Sequence, residues 1–455
     1  MTAIDGPTRA APPRRRRRRT DRLASVWLVA ALVIAGIGLV SRSALPQPLW
    51  TLVHVVTLGV LTNAILQWSW YFARTLLRLP DDDPRAGRDA VIRTIAFNVV
   101  LVGLFVAMWT ARTVAVVAFA TGIGAVIAWH GLALLRAART RLVSRFAVVV
   151  RFYVAAAAFL VVGCALAGII AIAMLDPTAP AWTVDMRDRL TVAHALVNVG
   201  GWIGLSIAGT LVTLGPTMLR TRIDSHAVTL AVRALPLLVG GIAVAAVAAI
   251  GGIMPGVGMG LLIFVAALVP GVAVPLVRTA LAKSPSTYAT WTMTAGLAWV
   301  AVAVTAVSVG AFAAPDAGAF RASNLPWIAV LGIGGIGQVF VGALTYLLPV
   351  VVGGGPAALR AGMAVLETGW PARVAVRNTA IGLLAVTGTT GTDLSTWWWA
   401  LVLLTFAGDV VLLAVAGTRQ VRVLRAALSP AVPAGASATS NVNHPPEPTP
   451  GGDGA

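Results

Sequence analysis

Stretches of about 20 apolar residues follow one another along almost the whole chain. Short, arginine-bearing connections separate them. The run VVGCALAGIIAIAML at 161–175 is typical. Such a run cannot lie on the surface of a soluble domain, and in hydrocarbon its backbone must satisfy its own hydrogen bonds. Only helices and closed barrels do that, and a barrel needs short alternating segments rather than continuous apolar runs. Composition agrees. Of 455 residues, 58% are apolar and 11% charged, against about 25% charged in soluble domains, and the mean hydropathy is +0.87. The fold class is therefore all-α: a polytopic transmembrane helical bundle.

The runs predict about twelve spans. These lie near 24–41, 49–73, 94–110, 113–135, 150–174, 190–216, 227–251, 257–277, 289–313, 326–351, 374–387 and 396–417. The net charge of +18 is membrane-topology charge, not a nucleic-acid footprint, because the arginines cluster between alternate spans. With PPRRRRRRT inside, the outer turns hold Asp176, Asp185, Asp188, Asp316 and Asp393, and the inner loops hold most arginines. This predicts a multi-pass protein of the cell membrane with both termini cytoplasmic. Residues 1–23 read as a disordered basic tail, 24–420 as the transmembrane domain, and 426–455 as a second disordered tail. The glycine-rich linker 352–373 has room for a surface-lying helix. The single cysteine, Cys164, excludes an internal disulfide.

The spans look related. In HALVNVGGWIGLSIAGTLVTLGPTMLRTR at 194–222, Gly204, Gly209 and Pro216 return 133 residues later as Gly337, Gly342 and Pro349. A fainter echo runs from His54 to Arg78, where TLLR stands for TMLR. Internal repeats are thus expected.

Polar groups inside the spans are the functional candidates. His54 and His194 open two even-numbered spans at one predicted depth, which is the arrangement that a bis-histidine haem or a copper ion needs. The same pair would serve equally as interface-depth side chains bonded to loop carbonyls. Glycines around His194 would admit a flat macrocycle or close helix packing. His130, near an inner span end, is a third candidate cofactor ligand. Met254 and Met259, at the outer start of a span, are candidate soft copper ligands. Asn63, Gln67, Asn198, Gln338 and Tyr346 are intramembrane polar groups fit to line a cavity or join helices. Asp409 is the one acidic residue deep in a predicted span, and alone it does not make a proton relay. Pro216 and Pro349 fall near span ends rather than at the midplane break of a transporter.

LVHVVTLGVLTNAILQWSWYFARTLLR at 52–78, together with the 194–222 stretch, resembles the membrane portion of actinobacterial proteins fused to a multicopper-oxidase or copper nitrite-reductase-like domain. It is distantly similar to haem-bearing respiratory membrane proteins. The resemblance covers most of 24–420. It implies roles for His54, Asn63 and Trp68, and for His194, Asn198, Gly204, Gly209 and Pro216. It also implies a haem or copper cofactor and an extracytoplasmic copper oxidoreductase as partner. One departure matters: where relatives carry a second histidine after the tryptophan, this chain reads WSWYF, with Tyr71. After the 396–417 span only a disordered tail is expected, without the copper domain of the relatives.

Two readings compete. One is a redox-linked membrane protein holding haem or copper near the outer face. The other is a secondary transporter or a cofactor-free membrane scaffold. No nucleotide-binding or hydrolase motif is present.

Overall fold

The computed structural model describes residues 17–80, 83–140, 148–390 and 394–428. Among them there is no strand. The helices are α1 (Arg17–Val40), α2 (Pro48–Leu76), α3 (Arg88–Trp109), α4 (Thr113–Thr140), α5 (Val148–Leu175) and α6 (Arg187–Met218). There follow α7 (Ala227–Ile250), α8 (Met254–Ala282), α9 (Tyr288–Ala313), α10 (Ala317–Val352), α11 (Gly355–Leu366), α12 (Trp370–Thr390) and α13 (Ser395–Leu428). Among the described residues ten helices are long and apolar enough to cross a bilayer, and the chain is a multi-pass integral membrane protein. Of the twelve expected spans, two fall outside those ten. In α1 only Ser25–Val40 is apolar, and α12 carries Arg373 and Arg377 in its first half.

Most of the expected tail residues, 1–16 and 429–455, lie outside the described residues. Helix α1 starts earlier than the hydropathy suggests. So does α10, where the expected loop AAPDAGAFRASN is mostly helix: Asp316 caps it, accepting the Ala319 backbone N–H at 2.8 Å. The expected surface helix in the 352–373 linker is α11, which packs on α13.

Three units of four spans make up the bundle: α1–α4, α5–α8, and α9, α10, α12, α13. The last span of each unit packs on the first of the next, α4 on α5, α8 on α9 and α13 back on α1, so the array closes into a ring. The second span of every unit changes to π-helix midway, at Val55–Thr62, Leu196–Gly204 and Leu331–Gly337. Each then ends on a residue of positive φ: Arg78 at 51°, Arg220 at 52° and Gly353 at 66°. At the first two, the N–H of the following residue reaches back five positions, Leu79 to Arg74 and Thr221 to Pro216, which closes a Schellman turn. The TLLR/TMLR echo is thus a shared helix terminator.

A glycine in each π segment admits an aromatic ring from the unit's first span. A Cβ on Gly59 would lie 2.7 Å from Trp27, one on Gly201 2.5 Å from Phe159, and one on Gly334 3.3 Å from Trp299. Gly201→Val is therefore expected to overpack against Phe159 and destabilise by about 1–3 kcal/mol, measurable by unfolding in mixed micelles.

The polar groups of the first and third units match as well. Trp27 Nε1 donates to Asn98 Oδ1 (2.7 Å), Asn98 Nδ2 to Asn63 Oδ1 (2.7 Å), and Asn63 Nδ2 to the Gly59 carbonyl (2.7 Å). In the third unit Trp299 Nε1 donates to Asn378 Oδ1 (2.8 Å), and Asn378 is paired with Gln338. Gln338 Nε2 donates to the Gly334 carbonyl (2.9 Å). A π segment leaves carbonyls without their usual helical donors, and these amides supply them. Asn378→Leu strips partners from Trp299 and Gln338 together. We expect a loss of about 1–2 kcal/mol, with little effect on any cofactor bound elsewhere.

Candidate cofactor site

His54 lies in the first turns of α2 and His194 in the first turns of α6, each just ahead of its π segment. The two helices are far apart in sequence, yet the imidazole centroids stand 6.3 Å apart with planes 29° apart. Both side chains are half-buried. Trp50 stacks on His54 with a centroid separation of 4.3 Å, and Phe105 stands edge-on to Trp50.

Hydrogen bonds determine the state of both rings. His54 Nδ1 is 2.8 Å from the Trp50 carbonyl, and His194 Nδ1 is 2.9 Å from the Gly163 carbonyl. A carbonyl oxygen only accepts, so Nδ1 carries the proton in each ring. In the neutral imidazole Nε2 then holds the lone pair. His54 Nε2 has no hydrogen bond among the described residues. The Asn198 amide nitrogen stands 3.1 Å from both ring nitrogens of His194, while its Oδ1 is buried without a partner.

This donor set suits a metal held by two imidazoles. A metal–nitrogen bond of roughly 2.0 Å places two in-line rings about 6 Å apart across one ion. Aromatic pairs occur at similar separations. What distinguishes this pair is that both Nδ1–H groups are given to backbone carbonyls, the second-shell pattern that fixes ligating histidines. No third ligand joins them: among the described residues no group of three or more His, Cys, Asp or Glu could hold an ion. A tetrahedral all-protein site is therefore not built here. Two imidazoles are enough for the axial positions of a haem, whose other four ligands come from the macrocycle, or for linear Cu(I).

The glycines do not hold open a slot, contrary to one sequence expectation. The space a Cβ would take at Gly163 is filled by Asn198, at Gly200 by Ile242 and at Gly201 by Phe159. They serve close packing. A macrocycle beside His194 requires the Asn198 side chain to turn away and give up its Nδ2 contact with the ring.

The other candidates lie elsewhere. His130 is buried on α4, bonded through Nε2 to Ser69 Oγ (3.0 Å) and edge-on to Trp70, so it is not a third ligand of the pair. Met254 is buried at the start of α8, whereas Met259 is 51% exposed. Five residues apart on a helix, they face different ways and do not form the expected copper site. Asn63 and Gln338 belong to the amide networks. Gln67 is half-buried one turn beyond Asn63. Tyr346, half-buried, donates to the Thr217 carbonyl at 3.3 Å, against a small crevice lined by Arg220 and Glu367.

Asp409 is not alone, in contrast to its reading from sequence. Its carboxylate receives Arg373 Nη1 (2.8 Å), Tyr288 OH (2.6 Å) and Arg377 Nη2. Arg377 also donates to Tyr288 OH (3.0 Å) and Thr405 Oγ1 (2.9 Å), and lies over the Phe406 ring at 4.2 Å. Glu367 accepts the Tyr288 backbone N–H at 2.9 Å. This is a buried, hydrogen-bonded ion cluster in the third unit, in which Arg373 Nε is left without a partner, and it lies well away from the histidines in sequence and helix.

No family model matches this chain, and no curated protein matches it.

Proposed function

We propose that this protein is a redox-linked membrane protein of the cell membrane. His54 and His194 hold one metal centre, haem iron or copper, near the extracytoplasmic face. The observation that carries the reading is the pair of imidazoles on α2 and α6, each with its Nδ1 held against a backbone carbonyl. The outward placement follows from the arginine distribution, with both termini cytoplasmic. The chain's own groups fix ring orientation, tautomer and depth, and Trp50 shields one face of His54. A bound haem or copper would supply one-electron chemistry. At that depth it would exchange electrons with an extracytoplasmic oxidoreductase, in line with the resemblance carried by the two histidine stretches. Haem extraction and elemental analysis of protein purified after growth with iron and copper test this. One haem or one copper per chain is expected, and neither would contradict it.

The transport reading is favoured by one observation, the Asp409–Arg373–Arg377 cluster close to π-broken α10. Its charged groups are hydrogen-bonded to one another, both arginines sharing the one Asp409 carboxylate, which suits a structural cluster better than a substrate site.

A further inference from the structure

The repeat that aligns Asn98 with Asn378 also aligns two arginines. Arg93 and Arg373 each stand five residues ahead of these amides, on α3 and α12. In the third unit the neighbouring α13 supplies Asp409 to Arg373. In the first unit the neighbouring α4 supplies Trp129 and His130, and no acid. Arg93 is nevertheless 1% exposed. Its guanidinium lies 5.0 Å from the Trp70 ring centroid and 5.4 Å from that of Trp129. Only Nη2 has a partner, the Arg85 carbonyl at 2.7 Å. Nε and Nη1 are buried without one, and so is Trp70 Nε1 beside them.

Among the described residues, the carboxylates nearby do not fill this gap. Asp83 is engaged by Arg85, at 3.0 and 2.7 Å. Asp89, one turn earlier on α3, attracts Arg93 without hydrogen-bonding to it. The indole faces offset part of the charge, but they accept none of the three N–H groups. A buried cation with unmet donors is costly unless an anion completes it.

We propose that Arg93 and Trp70 form a binding site for a phosphate oxyanion at the arginine-rich end of the first unit, doing for this unit what Asp409 does for the third. Two unmet guanidinium nitrogens and one indole N–H match the several acceptor oxygens of a phosphate. The phosphate comes either as the headgroup of an anionic lipid entering beside the partly exposed Trp129 or as a free ion. The site is independent of the histidine pair.

The test uses the full-length protein, wild type beside Arg93→Gln, Trp70→Phe and Arg419→Gln, the last an exposed arginine on α13. Retention of phosphatidylglycerol against phosphatidylcholine is read by native mass spectrometry from nanodiscs. Inorganic phosphate binding is read by calorimetry in detergent. We expect selective binding by wild type, a loss of roughly tenfold or more in Arg93→Gln, roughly three- to tenfold in Trp70→Phe, and none in Arg419→Gln. Preference for phosphatidylglycerol alone identifies the lipid as the source, and binding of phosphate alone identifies the free ion. The proposal is overturned if wild type binds neither above the phosphatidylcholine control, if Arg93→Gln binds like wild type, or if Arg419→Gln loses as much. Should Arg93→Gln not fold, Trp70→Phe decides, because a phenyl ring keeps an aromatic face beside Arg93 and removes the indole N–H along with part of the buried volume. Unchanged binding there overturns the site.

Discussion

Asp409→Ala is expected to destabilise the protein by about 3–5 kcal/mol, the cost of leaving buried cations without their anion. Asp409 and Arg377 are both essentially inaccessible, and the Arg373 side chain is 15% exposed. Removing the carboxylate also strips an acceptor from Tyr288 OH. The loss should appear as a lower unfolding midpoint in mixed micelles and as reduced yield in the membrane. Asp409→Asn keeps the shape and one acceptor oxygen, so it should fall between the two. The triple change Asp409→Leu, Arg373→Met, Arg377→Met removes the three paired charges together and leaves Glu367 on the Tyr288 backbone N–H, and most of the stability should return. If the single and triple variants are equally damaged, the cluster does more than neutralise itself, and the transport reading gains ground.

The second large effect concerns the histidines. His54→Ala and His194→Ala should each abolish stoichiometric cofactor, since each removes half of the protein's donor set. Folding should survive, because both residues are half-buried at span ends and their hydrogen bonds go to single carbonyls. Asn198→Ala is a finer probe. It removes the amide that stands against the His194 ring, and a second-shell change of this kind should alter affinity by about 10–100-fold. The three affinities come from titration of the apoprotein with haem or with Cu(I). Equal cofactor content in His54→Ala and wild type would remove His54 from the centre.

Much of this was legible in the sequence for definite reasons. Hydropathy marks the helices because hydrocarbon tolerates few alternatives, and Gly204, Gly209 and Pro216 with their later counterparts mark the repeat. The shared depth of His54 and His194 was legible, since both open spans that run in the same direction, but that α2 and α6 bring them together is a fact of packing. The π segments were not legible. Their glycines are shared with ordinary close packing, and nothing local distinguishes Gly59 under Trp27 from any other small residue at a helix contact. The ion cluster is not legible from hydropathy, because the apolar span near 374–387 leaves Arg373 outside and Arg377 in its first turn. With α12 beginning at Trp370, Arg373 and Arg377 move inside. A signal was available: Arg377 and Asp409 lie at nearly equal distances on either side of the turn between α12 and α13, so antiparallel helices bring them to one depth. Arg93 offered a comparable hint five residues before Asn98, but its lack of an acid partner is a fact of packing and not of sequence.

The most direct test of the metal centre is an optical spectrum of the purified protein, oxidised and then dithionite-reduced, with copper determined on the same sample. Wild type and the His54→Ala/His194→Ala double variant would be compared. The account predicts either a haem spectrum whose α band sharpens on reduction or one copper per chain without that band, and in both cases loss of the signal in the double variant. A wild-type protein expressed with haem and copper supplied that carries neither, or a signal that persists undiminished without both histidines, would contradict it.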